Sequence, residues 1–246
     1  MALRLEDVRA SYGPIEVLFG IDLEVGDGEI VALLGTNGAG KTTILRVVSG
    51  ILQPTSGEVS WNGESLVGVR PPDIVKRGVV QMPGGRGVFP GMSVAENLEI
   101  AGFLYGKDRR KKKEMVDRVF TYFPVLAKRK SQMAGSMSGG QQQMLTLAKS
   151  FVMDPRLLLI DELSLGLAPV IVEDLLEIVR RFNAEGVSVV LVEQHVDLAL
   201  DAASRAYFLE RGEVRFDGPA EDLRGRDDLL RSVFLSAENV ETVTAS

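Results

Sequence analysis

The sequence predicts an α/β fold with a mixed central sheet, an antiparallel β part near the N-terminus and an inserted helical subdomain. An apolar strand over residues 29–34 runs into a glycine-rich turn, and a helix over residues 41–49 follows at once. The runs 157–162 and 187–192 are almost wholly apolar, which is typical of strands buried in a parallel sheet. Between the β-rich start and these runs, residues 93–153 show helical patterning.

The length and composition are typical of a soluble globular protein. The 246 residues, 45% hydrophobic and 25% charged, are enough for one substantial core. We therefore expect one folded unit over residues 1–246. Within it, we expect residues 1–92 and 154–246 to form the β-rich core and residues 93–153 to form a helical subdomain.

The composition also excludes several classes of function. Zero cysteines exclude disulfides, thiolate metal sites and a cysteine nucleophile, and a single histidine leaves little room for a histidine-rich metal site. The net charge of -6 gives no support to a nucleic-acid partner, and we interpret the basic run 109–113 as a solvated helix start rather than a site for anionic lipid or RNA. No apolar run approaches the length of a membrane span and the N-terminus lacks a secretory signal, so we expect a cytoplasmic chain.

The N-terminal part is predicted to be rich in β-strands. Residues 3–8 alternate like a half-buried strand, and a turn at residues 11–14 ends it, which places Tyr12 on a loop. Residues 17–25 form a second strand. Residues 58–63 form a short hairpin edge, in which the Asn-Gly pair favours a tight primed turn.

The later elements are predicted from local start and stop signals. Ser93 and Glu96 form a capping box that begins a helix, and Pro124 halts a second helix over residues 111–123. The remaining predictions are a strand at 78–82, a mobile glycine-rich loop at 83–87, a helix from Ser138 to about residue 153, a helix over 171–182 closed by Gly186, a hairpin over 207–217 and a frayed end from about residue 238.

The segment from Gly35 to Thr42 has the pattern G-x-x-x-x-G-K-T, which predicts a site for a nucleotide triphosphate. Its glycines let successive backbone N–H groups point at phosphate oxygens, and the following helix adds its N-terminal partial positive charge. Lys41 can reach the β- and γ-phosphates, and the Thr42 hydroxyl can ligate Mg²⁺.

Two carboxylates, Asp161 and Glu162, end the predicted strand at residues 157–162. In a parallel sheet this is the edge at which ligands bind, and we expect the pair one strand over from the glycine-rich loop. One carboxylate can hold Mg²⁺ through water or Thr42, while the other can orient and deprotonate an attacking water. The pair therefore indicates a hydrolase.

A second anion-binding helix start is predicted at Ser138-Gly139-Gly140-Gln141. The small residues let an anion approach the Ser138 hydroxyl and the free N–H groups, although the same pattern also describes a helix that is simply well capped. Two such helix starts for one triphosphate suggest that the second serves the nucleotide of a neighbouring subunit.

In their order, these motifs resemble the ATP-binding subunits of ABC transporters over about residues 3–235. Residues 35–42, 137–141, 157–162 and 164–168 stand at the Walker A, signature, Walker B and D-loop positions of that family. The resemblance implies a P-loop NTPase fold of the ABC type and ATP hydrolysis.

Three further sequence motifs are similar to those of the shorter of the two ATPases of branched-chain amino acid importers. They lie at residues 136–144, 164–169 and 191–194. This resemblance implies a motor subunit that couples ATP hydrolysis to uptake through a separate membrane permease, with ATP and Mg²⁺ as cofactors and no nucleic acid. It also implies a peripheral location on the cytoplasmic face of the inner membrane. A second ATPase would be the dimer partner, with a heterodimer favoured over a homodimer.

The resemblance also implies roles for individual residues. Tyr12 would stack on adenine, Asp161 would hold the Mg²⁺ shell and Glu162 would act as the general base. In the head-to-tail dimer of this family, each ATP lies between the Lys41 loop of one chain and the Ser138 helix of the other. The residues that would wrap the phosphates are Asn37, Gly38, Ala39, Gly40, Lys41, Thr42 and Thr43.

Three positions depart from the common pattern of the family. The usual loop glutamine falls on Gly84 and not on Gln81, and glycine offers no side chain to Mg²⁺ or to water. The usual switch histidine falls on Gln194, one residue before His195, and a glutamine can hydrogen-bond a phosphate but cannot take a proton. Leu163 replaces the usual proline after Glu162. These departures bear on the hydrolysis rate more than on ATP binding.

Two other functions stay open at the level of the sequence. The first is a soluble ABC-type ATPase acting on ribosomes or DNA. The length of 246 residues is an argument against it, because such proteins commonly have two ATPase units or a long coiled-coil insertion. A scaffold that binds ATP but barely hydrolyses it is compatible with Gly84. The solute also stays open between branched-chain amino acids, other amino acids, amides and urea, because such subunits contact the permease rather than the cargo.

Overall fold

Two β-sheets organise the chain in the computed structural model, which describes residues 3–85, 87–226 and 228–230. The predicted frayed end lies outside the described residues. The strands are β1 Leu3–Tyr12, β2 Ile15–Val25, β3 Ile30–Gly35, β4 Ser56–Trp61, β5 Glu64–Ser65, β6 Val79–Met82, β7 Leu157–Asp161, β8 Ser188–Val192, β9 Arg205–Glu210 and β10 Glu213–Pro219.

The first sheet is antiparallel and four-stranded, in the order β2-β1-β4-β5. Asn62 and Gly63, with φ of 50° and 80°, make the predicted primed turn between β4 and β5. The placement of Tyr12 on a loop was wrong. Strand β1 continues past a register shift to pair Tyr12 with Ile15, so Tyr12 ends the strand and only Gly13 and Pro14 make the turn.

The second sheet is mixed and six-stranded, in the order β10-β9-β3-β8-β7-β6. All neighbours pair in parallel except β9 and β10, which form the predicted antiparallel hairpin. The expectation that Asp161 lies one strand over from the glycine-rich loop was wrong, because β8 lies between β3 and β7. Chain order alone does not specify which later strand inserts beside β3.

The helices are α1 Lys41–Val48, α2 Pro71–Lys76, α3 Val94–Ala101, α4 Arg109–Tyr122, α5 Pro124–Ala127, α6 Gly139–Val152, α7 Pro169–Ala184, α8 Val196–Ala202 and α9 Ala220–Arg224. The predicted capping box at Ser93 and Glu96 is present at the start of α3, with both of its hydrogen bonds. Helix α4 begins two residues earlier than predicted, because Asp108 caps it by accepting a hydrogen bond from the backbone N–H of Lys111. Pro124 follows the end of α4, as predicted, and also begins α5.

The main apolar core lies between one face of the six-stranded sheet and helices α3 to α7. Within it, the rings of Phe151 and Phe182 stack with centroids 3.4 Å apart, which ties α6 to α7. The other face of the sheet packs against α1 and the antiparallel sheet. A helical subdomain with boundaries at residues 93–153 stays a prediction, since these helices share one core with the sheet. In the described part of the chain, no helix is both long and apolar enough to cross a membrane.

Candidate functional site

The glycine-rich loop between β3 and α1 is held by close backbone approaches. Gly35 has a φ of 145°, and a Cβ at this position would lie 2.1 Å from the backbone oxygen of Leu209 on β9. Gly40 is the left-handed N-cap of α1, with a φ of 103°, and a Cβ there would lie 2.6 Å from the Leu18 side chain. Both positions therefore require glycine, which is the physical reason for the spacing of the motif.

Lys41, the first residue of α1, turns its side chain back over the loop. Its ammonium donates hydrogen bonds of 2.7 Å to the Gly35 carbonyl and 3.0 Å to the Thr36 carbonyl. The residue is only 7% exposed. Burial lowers the pKa of Lys41, while the nearby Glu162 and Asp161 carboxylates raise it. The loop thus holds a poorly solvated cation at the place where the motif predicts phosphate.

Thr42 and Asp161 meet across the intervening strand β8. Thr42 Oγ1 donates a 3.2 Å hydrogen bond to Asp161 Oδ1. Burial raises the pKa of Asp161, and the bond from Thr42 opposes that shift. The predicted metal pair is therefore brought together.

Thr42 and Asp161 line one cavity, together with Arg46, Ile51, Gln81, Pro83 and Gly84. Among the described residues, no group of three or more His, Cys, Asp or Glu side chains could hold a metal ion by itself. A cation at this position would therefore need oxygens from water or a bound nucleotide.

Glu162 follows β7 directly and takes a left-handed backbone conformation, with a φ of 56°. Its backbone N–H donates a 3.0 Å hydrogen bond to the Val192 carbonyl at the end of β8. Gln194 Nε2 donates a 2.6 Å hydrogen bond to Glu162 Oε1. The neighbouring His195 is exposed and precedes α8 as its N-cap. Of the two residues, Gln194 is thus the one that contacts the predicted base.

Glu193 is a buried carboxylate whose role was not predicted from the sequence. It is 2% exposed, and it accepts hydrogen bonds from the Ser164 backbone N–H at 2.9 Å and the Ser164 hydroxyl at 2.5 Å. It also accepts a 3.2 Å bond from the Gln194 backbone N–H. Burial raises the pKa of Glu193, and these hydrogen bonds lower it by less. The only sequence signal was a carboxylate at the end of an apolar strand. Glu193 joins the loop after Glu162 to the loop after β8.

The predicted second helix start is present at α6. Ser138 Oγ accepts a bond from the Gln141 backbone N–H, and Gln141 Oε1 accepts one from the Ser138 N–H, so the cap is complete. A Cβ on Gly139 would meet open space, whereas one on Gly140 would lie 2.9 Å from Ile171 on α7. The four signature residues therefore form a capped, surface-facing helix start, and binding of a partner's nucleotide stays a prediction.

Gln143, on α6, supports the region of the predicted base. Its Nε2 donates hydrogen bonds of 3.3 Å to the Leu163 carbonyl and 3.5 Å to the Glu162 carbonyl. Leu163 is fully buried in the main core, so the residue that replaces the usual proline is anchored by packing. Nothing in the sequence pattern singled out Gln143.

Tyr12 lies beside α1, where Arg46 approaches it. Arg46 donates a 2.9 Å hydrogen bond to the Tyr12 hydroxyl, and its guanidinium lies 5.9 Å from the ring centroid. Tyr12 is 39% exposed. A partly exposed aromatic ring held beside helix α1, which follows the glycine-rich loop, suits the predicted adenine stacking.

A comparison with known protein families decides the classification. The profile described as ABC transporter matches residues 18–164 of this chain. The chain belongs to the ABC transporter family. The chain is therefore an ABC-type ATPase, and the prediction of a P-loop fold of this type is confirmed.

Two relatives of this ABC ATPase are named as transport proteins. The high-affinity branched-chain amino acid transport ATP-binding protein BraG of Pseudomonas aeruginosa is 44% identical over 212 residues, covering 86% of this chain and 90% of that protein. The probable branched-chain amino acid transport ATP-binding protein LivF of Archaeoglobus fulgidus is 33% identical over 222 residues, covering 90% of this chain and 93% of that protein.

Solved structures share the fold of the ABC ATPase. The structure of an ATP binding subunit of an ABC transporter matches with a TM-score of 0.81 and 27% identity, covering 96% of this chain and 98% of that one. A nucleotide-free ATP-binding cassette from an ABC transporter matches with a TM-score of 0.86 and 21% identity, covering 95% of this chain and 98% of that one.

Proposed function

We propose that this ABC ATPase is the motor subunit of an importer for branched-chain or related amino acids. The observation that carries the proposal is the 44% identity to BraG over 86% of the chain, since the name of that protein states this transport. Three sequence motifs also resemble those of ATPases from branched-chain amino acid importers, at residues 136–144, 164–169 and 191–194.

In this proposal the glycine-rich loop binds the triphosphate. The Lys41 ammonium leaves the carbonyls of Gly35 and Thr36 and pairs with phosphate oxygens, whose negative charge offsets the cost of burying this cation. The loop from Asn37 to Thr43 supplies backbone N–H groups, and α1 adds its N-terminal dipole. Tyr12 stacks on the adenine ring.

Mg²⁺ fits the cavity lined by Thr42 and Asp161 because hydroxyl and carboxylate oxygens are its preferred protein ligands. Burial disfavours the charged form of Asp161, and a bound cation would favour it. When bound, the ion neutralises charge on the phosphate oxygens. Thr42 and Asp161 would hold it, together with nucleotide oxygens and water.

Glu162 is the proposed general base. Its carboxylate takes a proton from water as the water oxygen bonds to the γ-phosphorus, and the bond from that phosphorus to the β,γ-bridging oxygen breaks. Gln194 positions the carboxylate through the 2.6 Å hydrogen bond to Oε1. Because glutamine cannot take a proton, Gln194 orients and hydrogen-bonds but does not replace the base.

The proposed assembly has two ATPase chains on a membrane permease at the cytoplasmic face of the inner membrane. The exposed start of α6 at Ser138 would meet the nucleotide held by the second chain. A longer sister ATPase is the favoured partner, which makes a heterodimer, and a homodimer is the alternative. One specific feature supports a weakly hydrolysing variant of this role: Gly84 provides no side chain in the metal cavity.

Co-purification tests the proposal. Tagged Glu162→Gln protein with Mg-ATP is captured from detergent-solubilised native membranes, with the same capture in EDTA as the control. We expect a multi-span permease and a second ATPase in the Mg-ATP sample. Ribosomal proteins or DNA-repair factors without a membrane protein would overturn the importer. Comparing ATPase rates of the isolated chain and the mixed pair would reveal a scaffold, which hydrolyses only with its partner.

A further inference from the structure

The amide oxygen of Gln81 on β6 has no hydrogen-bond partner although it is fully buried. Among the described residues, only one other buried side-chain oxygen or nitrogen, Gln142 Oε1, shares this condition. A buried acceptor without a donor is costly, and a group bound in the adjacent cavity would supply the missing contact. No role for Gln81 follows from the motif pattern, which assigns the loop position to residue 84.

The strand register places Gln81 on the sheet face that carries Asp161. Gln81 pairs with Leu159 in the parallel ladder between β6 and β7, and Asp161 lies two residues further along β7. Val79 and Leu159 both belong to the core that contains α1, so side chains of this parity face Thr42. Gln81 and Asp161 are therefore diagonal neighbours on one face of the sheet, and both line the same cavity.

Gly84 lies at the same cavity as Gln81, and both line it with Thr42 and Asp161. A Cβ on Gly84 would lie 3.2 Å from the backbone oxygen of Asp161. A side chain at position 84 would therefore emerge beside the metal pair. Position 84 of this chain has no side chain, and Gln81 is the residue of this cavity lining that carries a side-chain amide.

We propose that Gln81 supplies the oxygen that the loop lacks at Gly84. Its Oε1 accepts a hydrogen bond from a water of the Mg²⁺ shell, because Mg²⁺ in nucleotide sites retains several waters. Gln81 is then a positioning residue that acts on the ion through water and tightens Mg²⁺-dependent nucleotide binding. The proposal rests on the proposed role of Thr42 and Asp161 as the Mg²⁺ pair.

Nucleotide binding by the Glu162→Gln chain provides a test that does not depend on turnover. The dissociation constant of ATP is measured by calorimetry with Mg²⁺ and again with EDTA. Gln81→Met keeps the length of the side chain and removes the oxygen. We expect about tenfold weaker ATP binding with Mg²⁺, as for other residues that act on a metal's ligands, and no change in EDTA.

Two further variants and a control sharpen the test. Gly84→Gln added to Gln81→Met restores Mg²⁺-dependent binding, because the second amide reaches the same cavity. Gln81→Glu keeps an oxygen and adds negative charge, so it strengthens the Mg²⁺ dependence and weakens binding in EDTA. Gln53→Met, at an exposed glutamine, changes neither constant.

The outcomes separate the proposal from the wider function. Equal weakening by Gln81→Met in Mg²⁺ and EDTA, or no weakening in either, overturns the role of Gln81. Thr42→Val removes the hydroxyl of the proposed Mg²⁺ pair, so ATP binding by this variant tests that pair itself. If Thr42→Val abolishes the Mg²⁺ dependence and Gln81→Met leaves it intact, only the inference on Gln81 fails. If neither variant alters it, the proposed Mg²⁺ pair fails as well.

Discussion

The side-chain amide of Gln194 lies 2.6 Å from Glu162 Oε1, donating a hydrogen bond from the end of β8 to the end of β7. His195, one residue further on, is exposed and only precedes α8. The residue that contacts the predicted base is therefore Gln194, which is predicted to stand at the family's switch position. Its neighbour is the single histidine of the chain.

Gln194→Ala is expected to slow ATP hydrolysis about 10- to 100-fold, since it removes one hydrogen bond to a charged group at the reacting centre. His195→Ala should leave the rate within about twofold, because His195 is exposed and the hydrogen bond to Glu162 comes from Gln194. Steady-state phosphate release by the two variants, at saturating Mg-ATP, gives the ranking. The reverse ranking would mean that the switch is His195.

Glu162→Gln should reduce turnover by at least about 100-fold while ATP affinity stays near that of the wild type. The amide keeps the shape and the contact with Gln194 but cannot take a proton. Single-turnover hydrolysis and ATP titration on the same preparation check both parts. Turnover equal to the wild type would remove Glu162 from the role of base.

Glu193→Gln is expected to change how stability depends on pH. Because burial raises the pKa of Glu193, its charged form is disfavoured in the folded chain. Its contribution to stability is present below its ordinary pKa and is lost as the pH rises through the raised pKa. The free energy of unfolding of the wild type minus that of the variant should fall as the pH rises above the ordinary pKa of a glutamic acid side chain. Denaturant titrations across that range measure it, and a flat or rising difference would contradict the pKa direction.

Phe182→Ala should lower the free energy of unfolding by about 3–5 kcal/mol. The ring is 4% exposed and stacks on Phe151, so its removal leaves a cavity between α6 and α7. Phe103→Ala, at a ring that is 53% exposed, is the matched control and should cost less than about 1 kcal/mol. Similar losses for both variants would mean that the stack adds no stability.

The strands and the main helices could be predicted from the sequence because their signals are local. The apolar run into Gly35, the capping boxes at Ser93 and Ser138, and the Asn62-Gly63 turn depend on neighbouring residues alone. The short helices α2, α5, α8 and α9 were not predicted, since four to seven residues are too few for a periodic pattern.

The candidate site was predictable in its motifs but not in its supporting contacts. Thr42 and Asp161 were expected to meet, yet the insertion of β8 between their strands depends on long-range sheet order. Glu193, Gln143 and Arg46 act through contacts with residues far along the chain, and no spacing rule encodes those contacts.

Leucine uptake tests the central claim most directly. Cells that lack this chain are complemented with the wild type, with Glu162→Gln or with His195→Ala, and uptake of labelled leucine is measured at equal expression. The account predicts uptake with the wild type and with His195→Ala, and background uptake with Glu162→Gln. Uptake restored by Glu162→Gln, or unchanged by loss of the chain, would contradict an ATP-driven importer of branched-chain amino acids.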